Sequence, residues 1–313
     1  MLRRLLCTAA VLFAVSFPAV AADSAVTLAL NWKPEPQFGG FYAAQYNGDF
    51  TRNGLRVDIL EGGSGTPTVQ MLAAGKVDYA IVSGDEVVIA HDRGAANIVA
   101  LFATYQTDPQ AIMTHAERGF TSLADVMHGD GVLLWQSGLA YAQYFKKHYA
   151  PIAVTTAPYL GGIGNFANDK MISQQCFATS EPLAAAKAGI EVRTFMVAES
   201  GYNPYTTVLV TTRENLQKHP AQVKAMVASV RAGWNAYLRD PGPTNAKMAQ
   251  LNKAMAPATF LASASAQKPL IETKAGRKLG SMTAQRWQTL VGQLLELKII
   301  KKAMPADQLF VDL

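Results

Sequence analysis

Aromatic, amide and carboxylate residues follow several of the apolar segments that this sequence predicts as strands. Asn31 and Trp32 come directly after the first segment, and Glu181 follows a later one. Open α/β sheets bind ligands at the carboxyl ends of their strands. A ring stacked on a planar ligand, with carboxylates and amides at its edge, holds small heteroaromatic molecules. We therefore predict a ligand site formed by Asn31, Trp32, Phe38, Tyr42, Ser64, Ser83, Asp85, Glu86, Trp135, Glu181, Tyr202 and Tyr205.

Two of these residues have an alternative structural explanation. Trp32 lies near the first turn, where it could instead be a core tryptophan. Glu181 comes between the apolar stretch at 176–178 and a predicted helix, so its carboxylate could be a charge that stabilises the helix N-terminus. The sequence leaves both alternatives open.

A glycine-rich stretch, GGSGT at 62–66, follows a predicted strand and opens a predicted helix. It lacks the Gly-Lys-Ser/Thr ending of a P-loop, so it does not support nucleotide hydrolysis. Its backbone N–H groups could hold an anionic or carbonyl group of a ligand at the helix N-terminus. A tight turn with no binding role explains the stretch equally well.

The motifs of common hydrolases and redox enzymes are missing from the sequence. It contains no G-x-S-x-G, no H-E-x-x-H and no C-x-x-C. The histidines have no metal-ligand spacing; they are His91, His115, His128, His148 and His219. We predict that the protein is not an enzyme and needs no metal or cofactor.

Strand-like and helix-like segments alternate through the first two-thirds of the chain, which favours an α/β fold with mainly parallel sheets. The predicted strands cover 26–30, 55–60, 79–82, 98–104, 111–114, 132–135, 153–156, 175–179, 192–197 and 208–212. Predicted helices cover 40–46, 85–92, 139–148, 182–188, 221–238, 244–255 and 283–297, with a further helix start at Thr66-Pro67.

The length predicts two lobes, because single cores usually split beyond about 250–300 residues. Loops at 105–109 and 200–205 are the best points for the chain to cross between lobes. We therefore predict one lobe from 23–104 and 206–313, and a second lobe from 105–205.

The first 22 residues have the pattern of a secretory signal peptide. Arg3 and Arg4 precede an apolar run at 5–17, and the small residues at 19–22 suit cleavage after Ala21 or Ala22. The run is shorter than the about 20 residues of a transmembrane helix. This pattern predicts export to the periplasm.

Cleavage would leave a modestly basic chain with a single cysteine. Its formal charge falls from +5 to +3, and only Cys176 remains, so no intrachain disulfide can form. The longest block of basic residues is Lys301-Lys302, which gives no footprint for nucleic acid.

Several stretches together resemble the NMT1/THI5-like family of solute-binding proteins. They are LNWKP at 30–34, QFGGFYAA at 37–44, GDF at 48–50, AGKVDYA at 74–80, SEP at 180–182, SGYNPY at 200–205 and MTAQRW at 282–287. The resemblance implies a type II periplasmic-binding-protein fold, with two α/β lobes joined by a hinge that closes on a small molecule. It further implies a monomer that delivers its ligand to an ABC-transporter permease in the inner membrane.

The family's known ligands leave several alternatives. Relatives bind pyrimidine precursors of thiamin, riboflavin, or taurine and other sulfonates, and one branch is a pyrimidine synthase with a cysteine-rich motif, a histidine and a lysine-bound cofactor. Here the corresponding region, QQCF at 174–177, has one cysteine, which disfavours the synthase. Acidic and aromatic candidates outnumber basic ones, so a thiamin pyrimidine precursor of the hydroxymethyl- or formylaminopyrimidine type is favoured. A sensor subunit that docks on a receptor kinase is a further alternative.

Overall fold

The computed structural model describes residues 24–95, 97–272 and 277–313. The predicted signal peptide at 1–22 lies outside these residues. None of the helices in the described ranges is both long and apolar enough to cross a membrane.

The chain forms two five-stranded sheets, which confirms the predicted α/β class. The first sheet has the order β2-β1-β3-β10-β4, with β1 (Ser24–Ala29), β2 (Leu55–Leu60), β3 (Tyr79–Val82), β4 (Ile98–Tyr105) and β10 (Thr206–Thr212). The second has the order β7-β6-β8-β5-β9, with β5 (Gln110–His115), β6 (Val132–Trp135), β7 (Thr155–Pro158), β8 (Ile172–Phe177) and β9 (Val192–Met196).

Helices connect and cover these strands. They are α1 (Gly39–Tyr46), α2 (Asp49–Arg52), α3 (Thr68–Ala73), α4 (Gly84–Asp92), α5 (Leu123–His128), α6 (Ala140–His148), α7 (Gly164–Asn168), α8 (Glu181–Lys187), α9 (Arg213–Lys218), α10 (Pro220–Arg239), α11 (Gly242–Leu251), α12 (Pro257–Ile271) and α13 (Ala284–Glu296). Short 3-10 helices span Pro36–Phe38, Ala116–Arg118, Val197–Ser200 and Ala306–Gln308.

Each sheet is mixed, so the prediction of mainly parallel sheets was incomplete. In the first sheet β10 runs antiparallel to β3 and β4, and in the second β5 runs antiparallel to β8 and β9. Both strands follow directly on a crossover between the sheets. A chain that enters a sheet at the edge where the parallel strands end must run opposite to them, which accounts for the reversal.

This shared edge positions the functional site. Val82 at the carboxyl end of β3 pairs with Val208 near the start of β10, and Phe177 at the carboxyl end of β8 pairs with Gln110 at the start of β5. The carboxyl ends of the parallel strands and both crossovers therefore meet on one side of each sheet.

Several segments differ from the sequence prediction, among them the start of α3 and helix α12. Thr66 does not cap α3, because its hydroxyl accepts a hydrogen bond from the Gly63 N–H at 2.8 Å and closes the loop instead, so the helix begins at Thr68. Helix α12, which begins with Pro257 and contains Pro269, was not predicted.

The packing of α1 on α10 fixes the first part of the chain against the C-terminal helices. A Cβ atom on Gly40 would lie 2.1 Å from Trp234 Cγ, and one on Gly233 would lie 2.2 Å from the Gly40 oxygen. Only glycine allows the two helices to approach this closely. The residues of α1 and of the turn before it are consequently enclosed in the core.

Candidate functional site

A cavity of about 310 Å³ lies between the two sheets, at the edge where the parallel strands end. Residues from both sheets and from both crossovers line it. The lining consists of Asn31, Trp32, Glu35, Gln37, Gly65, Thr66, Ser83, Asp85, Glu86, Asp108, Gln110, Gln136, Leu139, Tyr141, Tyr159, Gln175, Cys176, Phe177, Ser180, Glu181, Tyr202, Pro204, Thr206 and Thr207. Its size and position suit a small molecule.

The loop after β1 brings an aromatic ring and a carboxylate to the cavity. The Trp32 indole N–H donates to Glu35 Oε1 at 3.2 Å, which orients the ring. The loop lies against residue 62, where a Cβ atom would stand 2.1 Å from the Leu30 oxygen, so this position requires glycine. Burial, and secondarily the charge of Glu181, raises the pKa of Glu35 from 4.5 to about 7.

The start of α4 supplies two further carboxylates. Asp85 is buried, and its Oδ2 accepts a hydrogen bond from the Tyr202 hydroxyl at 3.1 Å. Glu86 Oε2 accepts from the Ser83 N–H at 2.8 Å and so closes the first turn of the helix. Burial and the neighbouring Asp85 raise the pKa of Glu86. Asp85 Oδ1 also accepts from the Glu86 N–H at 3.0 Å, so both oxygens of Asp85 are already held by neighbouring donors.

The opposite wall comes from the second sheet and carries Glu181. Its Oε1 accepts a hydrogen bond from the Tyr159 hydroxyl at 2.7 Å, and its Oε2 accepts one from the Phe177 N–H at 2.9 Å. Burial raises the pKa of Glu181 in spite of these bonds. A carboxylate accepts about four hydrogen bonds, so each oxygen retains capacity for a ligand donor.

A hydrogen-bonded group of amides adds neutral polarity to the same wall. Gln175 Oε1 accepts from the Gln136 N–H at 2.6 Å and from the Tyr141 hydroxyl at 2.8 Å. Gln175 in turn donates to Gln136 Oε1 at 3.0 Å. These reciprocal bonds hold the amides in one orientation.

The charge of the lining is strongly one-sided. Five carboxylates line the cavity, and no Lys, Arg or His is among the lining residues. Such an arrangement favours a ligand that is cationic or rich in hydrogen-bond donors, and it disfavours an anion.

The structure brings many of the predicted site residues together at this cavity. Those that line it are Asn31, Trp32, Ser83, Asp85, Glu86, Glu181 and Tyr202. The glycine-rich stretch contributes Gly65 and Thr66, whereas Ser64 is exposed and outside the lining.

Four predicted aromatic residues lie in the core instead. Phe38 and Tyr42 are enclosed where α1 packs against the C-terminal helices. Trp135 packs edge-on against Tyr141, and Tyr205 packs against Trp287 beneath the second crossover. Each is at most 2% exposed and none is among the residues that line the cavity, so the structure places these four in the core and not at the cavity.

Several lining residues were missed by sequence reasoning. Glu35 lies in a proline-flanked turn, and Asp108 lies in a loop that was interpreted only as a connection. Gln175 is a polar residue inside a buried strand. A buried amide needs hydrogen-bond partners, so that position was the one signal available in the sequence.

Family and structural comparisons agree on one group of proteins. A family model described as NMT1/THI5 like matches residues 35–243. A 4-amino-5-hydroxymethyl-2-methylpyrimidine phosphate synthase of Uromyces fabae is 22% identical over 249 residues, which are 74% of this chain and 72% of that protein. A formylaminopyrimidine-binding protein of Halalkalibacterium halodurans is 28% identical over 102 residues, 33% of this chain and 31% of that protein.

A solved structure shows the same fold. The periplasmic aliphatic sulphonate binding protein SsuA from Escherichia coli superposes with a TM-score of 0.69 over 91% of this chain and 91% of its own, at 13% identity. The predicted type II periplasmic-binding-protein fold is thereby confirmed.

Proposed function

This chain belongs to the NMT1/THI5-like family, and we propose that it is the periplasmic solute-binding component of an ABC importer that captures a thiamin pyrimidine precursor. The observation that carries the ligand class is the cavity lined by five carboxylates and no basic residue. An aminopyrimidine offers amino donors to carboxylates and amides, and a flat ring for Trp32 to contact.

The charge of the cavity also separates this ligand from the alternatives. A sulfonate needs arginine or free backbone N–H groups, and five carboxylates would oppose it. Riboflavin is planar, but the polar edge of its ring carries two carbonyl oxygens beside a single N–H donor, and those oxygens would face carboxylates. The proposal therefore follows the lining chemistry and not the ligand of a structural neighbour.

Transport requires export and closure. We expect the segment 1–22 to direct export and to be removed. We expect the lobe formed by 23–104 and 206–313 to close on the lobe formed by 105–205, because a ligand that contacts Glu35 and Glu181 together binds only the closed state. The closed monomer would then dock on an inner-membrane permease.

Ligand titration tests the proposal directly. Calorimetry or tryptophan fluorescence should be performed with 4-amino-5-hydroxymethyl-2-methylpyrimidine, its N-formylaminomethyl counterpart, riboflavin and taurine. We expect the two aminopyrimidines to bind well below millimolar concentration. Tight binding of taurine with no aminopyrimidine binding would refute the ligand class.

The contribution of Glu181 can be measured with a matched pair of variants. Glu181→Gln removes a charged acceptor, and hydrogen bonds to charged groups are worth roughly 1.5–3 kcal/mol, so aminopyrimidine affinity should fall by roughly 10- to 100-fold. Glu191→Gln makes the same change at an exposed position and should bind as wild type does. Equal affinities for the two variants would remove Glu181 from the site.

A pyrimidine synthase is the second candidate, because curated relatives carry that activity in their names. The resemblance implies a lysine-bound cofactor and a consumed histidine for that reaction, and the cavity lining contains neither residue type and one cysteine, Cys176. No cluster of His, Cys, Asp or Glu suited to a metal occurs in the described part of the chain. The residues present therefore do not fit that chemistry.

Mass spectrometry separates the two candidates. The protein should be incubated with pyridoxal phosphate and iron. A lysine adduct or a modified histidine would favour the synthase, and an unchanged mass supports binding without catalysis. An adjacent receptor-kinase gene in place of permease and ATPase genes would favour a sensor subunit.

A further inference from the structure

Asp108 lies on the first crossover and joins it to the second. Its backbone N–H donates to Asn203 Oδ1 at 2.9 Å, and its Oδ1 accepts from the Thr206 hydroxyl at 2.8 Å and from the Gln110 N–H at 3.1 Å. The side chain is 4% exposed. This carboxylate is therefore fixed in place by both segments that connect the sheets.

The second carboxylate oxygen of Asp108 is not used in this way. Both hydrogen bonds to the side chain end on Oδ1. In the described residues, Oδ2 accepts none, and it is absent from the polar atoms that are fully enclosed without a partner. Asp108 lines the cavity and its Oδ1 is engaged by Gln110 and Thr206, so we infer that Oδ2 is the oxygen that faces the cavity.

The crossovers themselves are held from behind by α13. The Arg286 guanidinium donates to the backbone oxygens of Asn203, Pro204 and Gln106, which belong to both crossovers. It also donates to Asn203 Oδ1 at 3.0 Å. Arg286 thus ties the two crossovers together, and Asp108, which bonds to Asn203 and Thr206, is held in place between them.

We propose that Asp108 is a specificity-determining residue, whose free oxygen accepts a hydrogen bond from an amino group of the ligand at the hinge. This inference rests on the proposed function and assigns one ligand contact within it. Asp108 belongs to the first crossover and is bonded to Asn203 and Thr206 at the second. A ligand amino group bonded to Asp108 would therefore be recognised at the segments that connect the two lobes.

The preference follows from the geometry of the carboxylate. An amino group donates to Oδ2, whereas a carbonyl oxygen at the same place would meet a buried negative charge and lose its hydration. Burial raises the pKa of Asp108 from 3.8 to about 6, so it is mainly ionised near neutral pH. A ligand donor would stabilise the charged form further.

The substitution Asp108→Asn replaces a hydrogen-bond acceptor in the cavity by a donor, with little change in the shape of the side chain. Its Oδ1 can still accept from Gln110 and Thr206, and its amide nitrogen then points into the cavity as a donor. Affinity should be measured for 4-amino-5-hydroxymethyl-2-methylpyrimidine and for its 4-oxo counterpart. We expect the ratio of the two affinities to fall at least tenfold in this variant.

Asp58→Asn is the matched control, because it removes the same charge at an exposed position on β2. It should leave the ratio unchanged. Both probes are measured on the same preparation, so a general loss of folded protein lowers both affinities and cancels in the ratio. An unchanged ratio in Asp108→Asn would overturn this inference and leave the proposed function standing.

A measurement on the wild-type protein tests the same contact even if the Asp108→Asn variant does not fold. Carbon-13 NMR of labelled aspartate carboxyls gives the pKa of Asp108 with and without the 4-amino probe. We expect the probe to lower it, and a pKa that does not move while the probe binds would overturn the inference. A wild-type protein that binds neither probe would overturn both the proposed function and this contact.

Discussion

Replacing Glu35 with glutamine should make the ligand-free protein more stable above neutral pH. Burial raises the pKa of Glu35 from 4.5 to about 7, so the folded protein holds this proton more tightly than the unfolded chain does. A carboxyl group whose pKa is raised by folding stabilises the folded state while it is protonated, at low pH. This contribution to the free energy of unfolding is lost as the pH rises from about 4.5 through about 7. A glutamine side chain does not titrate, so the variant avoids that loss.

The size of the effect follows from the pKa difference. Each tenfold change in proton affinity is worth about 1.4 kcal/mol, so a rise from 4.5 to about 7 corresponds to ~3 kcal/mol. Part of Glu35 is exposed, which makes this an upper limit. For a chain of this length the matching shift in Tm is roughly 5–10 °C.

The assay is thermal or urea unfolding of wild type and Glu35→Gln across the range from about pH 5 to about pH 8. The difference between the two curves isolates Glu35, because titration of the exposed carboxylates is common to both. Glu191→Gln is the matched exposed control. Parallel pH profiles for wild type and Glu35→Gln would refute the account of Glu35 as a carboxylate that is costly to ionise.

Three further substitutions, the first with a matched control, test other parts of the structure. Gly62→Ala places a Cβ atom 2.1 Å from the Leu30 oxygen, whereas Gly63→Ala meets nothing within 4 Å; we expect unfolding measurements to show a loss of about 1–3 kcal/mol for the first only. Arg286→Lys cannot maintain the fork of bonds to both crossovers and should lower stability by about 1–3 kcal/mol, with weaker ligand binding by calorimetry. The buried Tyr42 hydroxyl has no partner in the described residues, so Tyr42→Phe should raise stability by about 1 kcal/mol and leave affinity unchanged.

A specific outcome would refute each of these three predictions. Equal stability of the two glycine variants would show that the loop after β1 is not held against residue 62. Wild-type ligand affinity in Arg286→Lys would show that the bonds from α13 to the crossovers do not support ligand binding. A marked loss of ligand affinity in Tyr42→Phe would return this residue to the site from which the structure excludes it.

Local patterns predicted most of the secondary structure. The strands at 55–60, 79–82 and 132–135 have the predicted bounds, because alternation or a short apolar run is flanked by turn residues there. Helix α12 was missed because it is rich in small residues and contains Pro269 near its end. Long-range pairing was also beyond these patterns, since the direction of β5 and β10 depends on where the chain re-enters a sheet.

The candidate site was predictable where residue type and strand end coincide. Trp32, Asp85 and Glu181 satisfy both conditions and line the cavity. Phe38 and Tyr42 satisfy them as well, but the close contact of Gly40 with α10 encloses them. That contact joins residues far apart in sequence, so no local pattern predicts which aromatic rings face a ligand.

The hydrogen bonds from Arg286 to both crossovers affect the order in which the parts of this protein can fold. The second sheet is continuous in sequence, from β5 to β9, and needs nothing from the rest of the chain to pair its strands. The first sheet is complete only when β10 has been added between β3 and β4, and the crossovers gain their bonds to Arg286 only when α13 is present. As the chain appears from its N-terminus, the second sheet can therefore pair its strands early, while the crossovers beside the cavity are tied together only once Arg286 has been synthesised.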